Sequence, residues 1–93
     1  MKLDYPILYC CYNRLELIKK SLNILKELKP KKFYIACDGP KSNDLDIKKC
    51  EEVRDIIKNA NFLSNTEYKF NDKNLGCKKS ISQSIDWFFN NEE

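Results

Sequence analysis

Residues 33–40, FYIACDGP, constrain the fold of this 93-residue chain more than any other stretch. The first five are apolar, which is typical of a strand buried on both faces of a sheet. Gly39 and Pro40 end regular structure at once, so Asp38 is expected at the carboxyl end of a parallel strand. Open α/β sheets bind ligands at that end. Asp38 is therefore either a ligand-binding carboxylate or a residue that caps a turn.

Two further segments predict the rest of the sheet. Residues 6–12, PILYCCY, form a nearly continuous apolar run, which is typical of a second interior strand. In residues 66–70, TEYKF, the charged Glu67 and Lys69 alternate with uncharged side chains, as in a strand with one solvated face. We therefore expect this last strand at an edge of the sheet.

Apolar residues at helical spacing predict helices between the strands. The first helix spans residues 14 to about 29, with Asn13 as its N-cap and Glu16 in the capping-box position. The second helix follows the DGP turn. Asp44 and Asp46 precede it in a polar loop, so they are expected to cap it rather than to bind a metal ion.

A third helix, predicted over residues 77 to about 89, completes a β-α-β-α-β-α order. Its apolar positions are Cys77, Ile81, Ile85 and Phe88. Short connections and apolar strands favour a parallel sheet with right-handed crossovers, in a three-layer, Rossmann-like α/β fold. The strand that begins at Phe33 is expected in the middle, with the first two helices on one face and the third on the other.

This arrangement leaves the strand of residues 6–12 as a bare apolar edge, which proteins usually avoid. We therefore expect residues 1–93 to be the amino-terminal part of a larger domain. A complete three-stranded domain is the alternative. Such a fragment is expected to self-associate through its exposed first strand, whereas a clean monomer would favour the complete domain.

Composition excludes several classes of function. The net charge is only +3 and the lysines are scattered, so nucleic-acid binding is not expected. No apolar run approaches the roughly 20 residues of a membrane span, and a cytoplasmic location with reduced cysteines is expected. The chain has no histidine, which excludes Ser-His and Cys-His nucleophile pairs. It also lacks the glycine-rich motifs of dinucleotide and P-loop sites.

Three motifs give the chain a family resemblance. They are P-I-L-Y-C-C-Y-N-R, C-D-G-P-K, and N-L-G-C-K-K followed by I-D-W-F-F, and together they extend from residue 6 to residue 89. In this order and spacing they resemble the amino-terminal half of a GT-A glycosyltransferase of the family 2 type, close to bacterial hemolysin-like sugar transferases. The resemblance implies that residues 1–93 are the nucleotide-binding part of a single, incomplete GT-A domain.

The resemblance also implies a site for a nucleoside diphosphate sugar, usually linked to UDP. The base would lie beside the end of the first strand, and the carboxylate after the second strand would contact the base or the ribose. Positively charged residues at helix starts would lie near the phosphates. The residues implied are Cys10, Tyr12, Arg14, Asp38, Gly39, Gly76 and Lys78, with Lys79 beside the last.

The chain departs from the family pattern in two ways. Many family 2 enzymes carry two acids after the second strand, whereas Asp38 is followed by Gly39. The D-x-D motif that binds manganese or magnesium, and the catalytic base, lie further along in the family, so we expect the chain alone to be inactive. Two alternatives remain from the residues: a stand-alone α/β nucleotide-binding or regulatory module, and a nucleotidyltransferase.

Overall fold

A computed structural model describes residues 5–60 and 65–92 of the chain. It contains three strands and three helices in the predicted β-α-β-α-β-α order. The elements are β1 (Ile7–Cys11), α1 (Leu15–Leu28), β2 (Phe33–Cys37), α2 (Asp44–Lys58), β3 (Thr66–Phe70) and α3 (Cys77–Asn91). No helix in these two ranges is both long and apolar enough to cross a membrane.

The strands form a parallel sheet in the order β1-β2-β3. Ile7 lies opposite Phe33, and Phe33 lies opposite Thr66, so the strands start and end level with one another. Every residue of β2 is buried. The predicted central position of this strand, and the edge position of β3, are confirmed.

Alternate residues of β2 contact different layers. Phe33, Ile35 and Cys37 belong to the main core, which also contains residues of α1 and α2 such as Leu22. Tyr34 points the opposite way, and its ring lies 5.3 Å from the ring of Trp87 in α3. The domain therefore has three layers, with α1 and α2 on one face of the sheet and α3 on the other, as the sequence predicts.

The predicted apolar face of α3 is wrong in part. Ser80 and Ser84 are buried, whereas Ile81 and Ile85 are each 41% exposed. The serines are small enough to let the helix approach the sheet closely. The Ser84 hydroxyl donates to the Ser80 carbonyl at 2.7 Å, so its burial leaves no unsatisfied donor.

Helix starts are also only partly predictable. Asn43 caps α2, because its side-chain oxygen accepts from the Asp46 N–H at 2.8 Å. The prediction for α1 is wrong: Arg14 occupies the N-cap position and no described side chain caps this helix. Asn13 instead donates its amide to the Asp46 carboxylate at 2.6 Å, a charge-assisted bond that outcompetes a neutral cap.

Candidate functional site

The candidate site lies at the carboxyl edge of the sheet. Cys11, Cys37 and Phe70, the last residues of the three strands, lie side by side in the parallel register. The loops that follow them must therefore meet at this edge. In open α/β sheets this edge is where ligands bind.

Asp38 connects two of these loops. The residue is only 5% exposed, and its carboxylate is surrounded by donors from the chain itself. Oδ1 accepts from the Gly39 N–H at 2.8 Å, the Leu75 N–H at 3.0 Å and the Asn71 amide at 3.3 Å. Oδ2 accepts from the Asn74 amide at 3.2 Å. The carboxylate thus fixes the loop between β3 and α3 against the end of β2.

Gly39 allows these two loops to touch. A Cβ atom at this position would lie 2.5 Å from the backbone carbon and oxygen of Lys73 and 2.6 Å from the Asn71 carbonyl oxygen. Such distances are well below van der Waals contact, and backbone atoms cannot rotate away. The Asn74 amide also donates to the Gly39 carbonyl at 3.1 Å. Only glycine fits this position without moving the opposing loop.

Arg54 of α2 holds the same two loops from the core side. Its Nη2 donates to the Asn71 carbonyl at 2.7 Å and more weakly to the Asp38 carbonyl at 3.3 Å. Its guanidinium lies 4.9 Å from the centre of the Phe70 ring, a cation–π geometry. The Arg54 Nε is buried and has no hydrogen-bond partner in the described part of the chain.

Asp46 makes a second buried link, between the end of β1 and the loop before α2. Its carboxylate accepts from the Tyr12 hydroxyl, from the Asn13 amide and from the Lys41 N–H. The sequence predicts a capping or first-turn acid here, and Asp46 does lie in the first turn of α2. The helix is capped by Asn43, however, and the Asp46 carboxylate connects two loops.

The Tyr12 and Asp46 side chains shift each other's ionisation. The hydrogen bond from Tyr12 is the main cause that lowers the pKa of Asp46, although burial opposes it. Burial first, and the Asp46 carboxylate second, raise the pKa of Tyr12 to about 12. The pair is therefore an ionised carboxylate and a neutral phenol across the physiological pH range.

This pair predicts an acid-dependent loss of stability. Because the pKa of Asp46 is lower in the folded chain than its unfolded value of about 4, its contribution is complete above pH 4 and is lost as pH falls through the folded pKa. Asp46→Asn should therefore flatten the decline of unfolding free energy below pH 4. Urea unfolding between pH 2 and 6 would measure it. Asp44→Asn, which changes the exposed acid two residues earlier, is the matched comparison.

Two depressions border this edge. The first has a volume of about 250 Å³ and lies beside the Tyr12–Asp46 pair. Its other lining residues are Asn13, Lys41, Asn43, Leu45 and Lys49. The second, of about 570 Å³, lies along the start of α3. Its lining includes Gly76, Lys78 and Lys79.

The structure places the sequence-predicted residues in three separate surroundings. Tyr12 lines the smaller depression, while Gly76 and Lys78 line the larger one. Asp38 and Gly39 lie beneath the loop between β3 and α3. The edge thus presents Tyr12 and Lys78 to solvent and keeps the Asp38 carboxylate inside.

Two other predicted residues lie at the margin of this edge. Arg14 is exposed at the N-cap of α1. Cys10 lies one residue before the end of β1, on the α3 face, where its thiol interacts with Ser84. Cys10 is exposed, and it lies on the α3 side of the sheet rather than in the loops of the carboxyl edge.

Sequence reasoning missed three residues that organise the site. Asn71 and Asn74 supply amide donors to Asp38, and Arg54 holds the backbone of the same loops. The sequence contained one indication that Arg54 faces the interior. Arg54 directly follows Val53 and lies on the side of α2 that carries the buried Cys50 and Val53. The two asparagines read as ordinary loop residues, so nothing in their local pattern indicated this role.

The described residues offer no ligand set for a metal ion, since no three Cys, Asp or Glu side chains there are grouped suitably. All five cysteines are free thiols. No protein-family model, curated protein or solved structure matches the chain. A function for this chain must therefore be inferred from its residues and their geometry.

Proposed function

We propose that this chain is the nucleotide-binding half of a GT-A glycosyltransferase and holds the UDP portion of a sugar donor at the carboxyl edge of its sheet. One observation supports this most: two buried carboxylates, Asp38 and Asp46, fix the loops at the edge where α/β folds bind ligands. A preformed edge lowers the ordering cost of binding. The C-D-G-P-K and N-L-G-C-K-K motifs lie on two of these loops.

Tyr12 is the residue assigned to the base. Its hydroxyl is held by Asp46, so the ring is fixed at one end and can offer a face for stacking on uracil. Asp38 is assigned to the uracil N–H or a ribose hydroxyl. Among the described residues its Oδ2 accepts one hydrogen bond, from Asn74, and a carboxylate oxygen can accept two. Because Asp38 is only 5% exposed, the loop after β3 must move aside before a ligand reaches that position.

The diphosphate is assigned to the starts of α1 and α3. No described side chain caps either helix, whereas Asn43 caps α2. Their first backbone N–H groups therefore remain available to an anion, and Arg14 and Lys78 add positive charge. Gly76 allows the backbone to turn at the start of α3, with φ of 86°.

The proposal covers donor binding and not sugar transfer. Transfer also requires neutralisation of the leaving diphosphate and activation of the acceptor hydroxyl, and we assign neither task to a residue of this chain. A divalent cation belongs to the longer enzyme that the resemblance implies. We also propose a cytoplasmic location, which the five free cysteines support because disulfides form mainly in oxidising compartments.

A second candidate is a stand-alone α/β binding or regulatory module in which Asp38 only fixes the loops. The four internal hydrogen bonds of its carboxylate favour this role. The two candidates differ in one measurable property. Only the first expects a uridine nucleotide to bind beside Tyr12 and the DGP turn.

Titration with UDP, followed by amide chemical shifts, tests the proposal. We expect a Kd of about 1 mM, because a binding free energy near 4 kcal/mol is reasonable for part of a donor site. Shifts should cluster at residues 12–14, 38–41 and 74–79. Tyr12→Ala should weaken binding about tenfold or more by removing the stacking surface. Tyr12→Phe keeps the ring and should bind nearly as well.

Separate titrations with uridine and with pyrophosphate distinguish the two parts of the site. Uridine should shift residues near Tyr12, and pyrophosphate should shift the starts of α1 and α3. Circular dichroism of each variant confirms that it folds. Shifts confined to other surfaces, or an unchanged Kd for Tyr12→Ala, would show that the nucleotide assignment is wrong.

A further inference from the structure

The outer edge of β1 presents unpaired backbone groups. Ile7 donates its N–H to the Lys32 carbonyl, and the Cys11 carbonyl accepts from the Asp38 N–H, so these groups point towards β2. Because the direction alternates along a strand, Leu8 and Cys10 present their N–H and C=O groups away from it. Among the described residues, no strand pairs with them. The natural partner of such an edge is another strand.

The two edges of the sheet differ in protection. The β3 edge carries Glu67 and Lys69, and Glu67 forms a 2.7 Å ion pair with Lys32. Charged side chains of this kind discourage pairing with another chain. The β1 sequence, ILYCC, contains no charged residue. Strand pairing is therefore opposed at β3 and unopposed at β1.

An exposed apolar flank of α3 adjoins this edge. Trp87 contacts Tyr34 of β2, and Ile85 lies two residues earlier, about 200° around the helix. Ile85 therefore faces away from β2, past β1. Ile81 and Phe89 lie one turn on either side of it and are also exposed. These three side chains form a ridge at four-residue spacing, the kind of ridge that packs against another helix.

The opposite face of the sheet has a matching flank on α1. Leu17 and Ile24 are exposed, seven residues apart and thus on one side of the helix. Ser21 lies between them on the same side and interacts with Tyr9 of β1. This flank therefore also lies beside β1. The unpaired strand has an exposed apolar helix flank above it and another below it.

We propose that a second copy of this chain covers this surface, with the two β1 strands paired antiparallel about a two-fold axis through Tyr9. Leu8 of each copy then exchanges N–H···O bonds with Cys10 of the other, because both residues present their backbone groups outward. The two sheets become one continuous sheet. The interface is isologous: the same surface of each copy is buried, so assembly stops at the dimer.

The spacing of the layers fits this arrangement. α3 contacts both β1, through Cys10 and Ser84, and β2, through Tyr34, so it lies over the boundary between these strands. With strands about 4.8 Å apart, each α3 lies about 5 Å from the axis. The two helices are then roughly 10 Å apart, at the upper end of normal helix packing. Their isoleucine ridges meet at that distance.

The charges of α3 favour the same antiparallel pairing. Lys78 and Lys79 lie in its first turn, whereas Asp86 and Glu92 lie in its last two turns or at its end. A two-fold axis near Ile85 places the basic end of one helix opposite the acidic end of the other. A parallel pairing would bring like charges together.

Sedimentation velocity of the 93-residue chain at about 10 to 500 μM tests the proposal. We expect a dimer, and Ile85→Asp should raise its Kd about 100-fold or more, because symmetry buries the new charge twice. Leu45→Asp is the matched control. Leu45 is 65% exposed on α2 and belongs to neither of the two apolar flanks, so this variant should dimerise like the wild type.

Amide hydrogen exchange tests the strand pairing itself. The Leu8 and Cys10 amides should be protected in the dimer and exchange at least about tenfold faster in Ile85→Asp, whereas Ile7 should stay protected through its bond to Lys32. A monomer at all concentrations would overturn the proposal. Open-ended oligomers, a dimer insensitive to Ile85→Asp, or a dimer with unprotected Leu8 and Cys10 would also overturn it.

Discussion

Replacing Gly39 with alanine should lower the unfolding free energy by about 3 kcal/mol or more, because the new methyl group meets backbone and not a movable side chain. The Cβ would lie 2.5 Å from Lys73 backbone atoms and 2.6 Å from the Asn71 carbonyl. The loop between β3 and α3 must therefore move away from β2. That movement breaks the hydrogen bonds from Leu75 and Asn71 to Asp38. Urea unfolding at pH 7 would measure the loss.

Gly76→Ala provides the matched control. A Cβ at Gly76 meets no atom within 4 Å, but its φ of 86° is unfavourable for alanine. The expected cost is about 1 kcal/mol, from backbone strain alone. If Gly39→Ala costs no more than Gly76→Ala, the two loops are not in the close contact described.

Asp38→Ala should lower the unfolding free energy by about 3 to 5 kcal/mol, which is the second large effect we expect. It removes one acceptor group and leaves its donors unsatisfied, including the buried Gly39 N–H and the partly buried Leu75 N–H. Unfolding by urea gives the free energy, and exchange of the Leu75 amide reports the local release of the loop. Asp72→Ala, at an exposed acid in the same loop, is the control and should change stability by less than about 0.5 kcal/mol.

Asp38→Asn separates the structural role of this residue from binding. Its remaining carbonyl can take the Oδ1 position, where three donors converge, and its new NH₂ then opposes only the Asn74 amide. We expect a smaller loss of about 1 to 2 kcal/mol, which leaves the fold available for UDP titration. An Asp38→Ala variant as stable as Asp72→Ala would show that the carboxylate does not hold the loops.

The order of strands and helices could be predicted because each element has a recognisable local sequence pattern. The unbroken apolar run of β2 indicates burial on both faces, and its central position follows from parallel crossovers. The buried face of α3 could not be read in this way. Ser80 and Ser84 face the sheet because small side chains permit close approach, and hydrophobic periodicity alone favours Ile81 and Ile85.

The position of Asp38 was predictable, but its partners were not. A strand followed by Gly and Pro places the carboxylate at the sheet edge from sequence alone. Its bonds to Asn71 and Asn74 depend on the register of β2 against β3, which no local pattern specifies. Asp46 shows the same limit, since helix capping explains its place in the sequence while Tyr12 and Asn13 determine its surroundings.

The links at the carboxyl edge also bear on how the domain assembles. The residues that bond to Asp38 from the loop after β3 lie 33 to 37 positions further along, and Tyr12 lies 34 positions before Asp46. Bonds of such separation carry a high loop-closure cost and form only once the strands are paired. Contacts made after the folding transition state affect the unfolding rate more than the folding rate. The candidate site and the lifetime of the native state therefore depend on the same side chains.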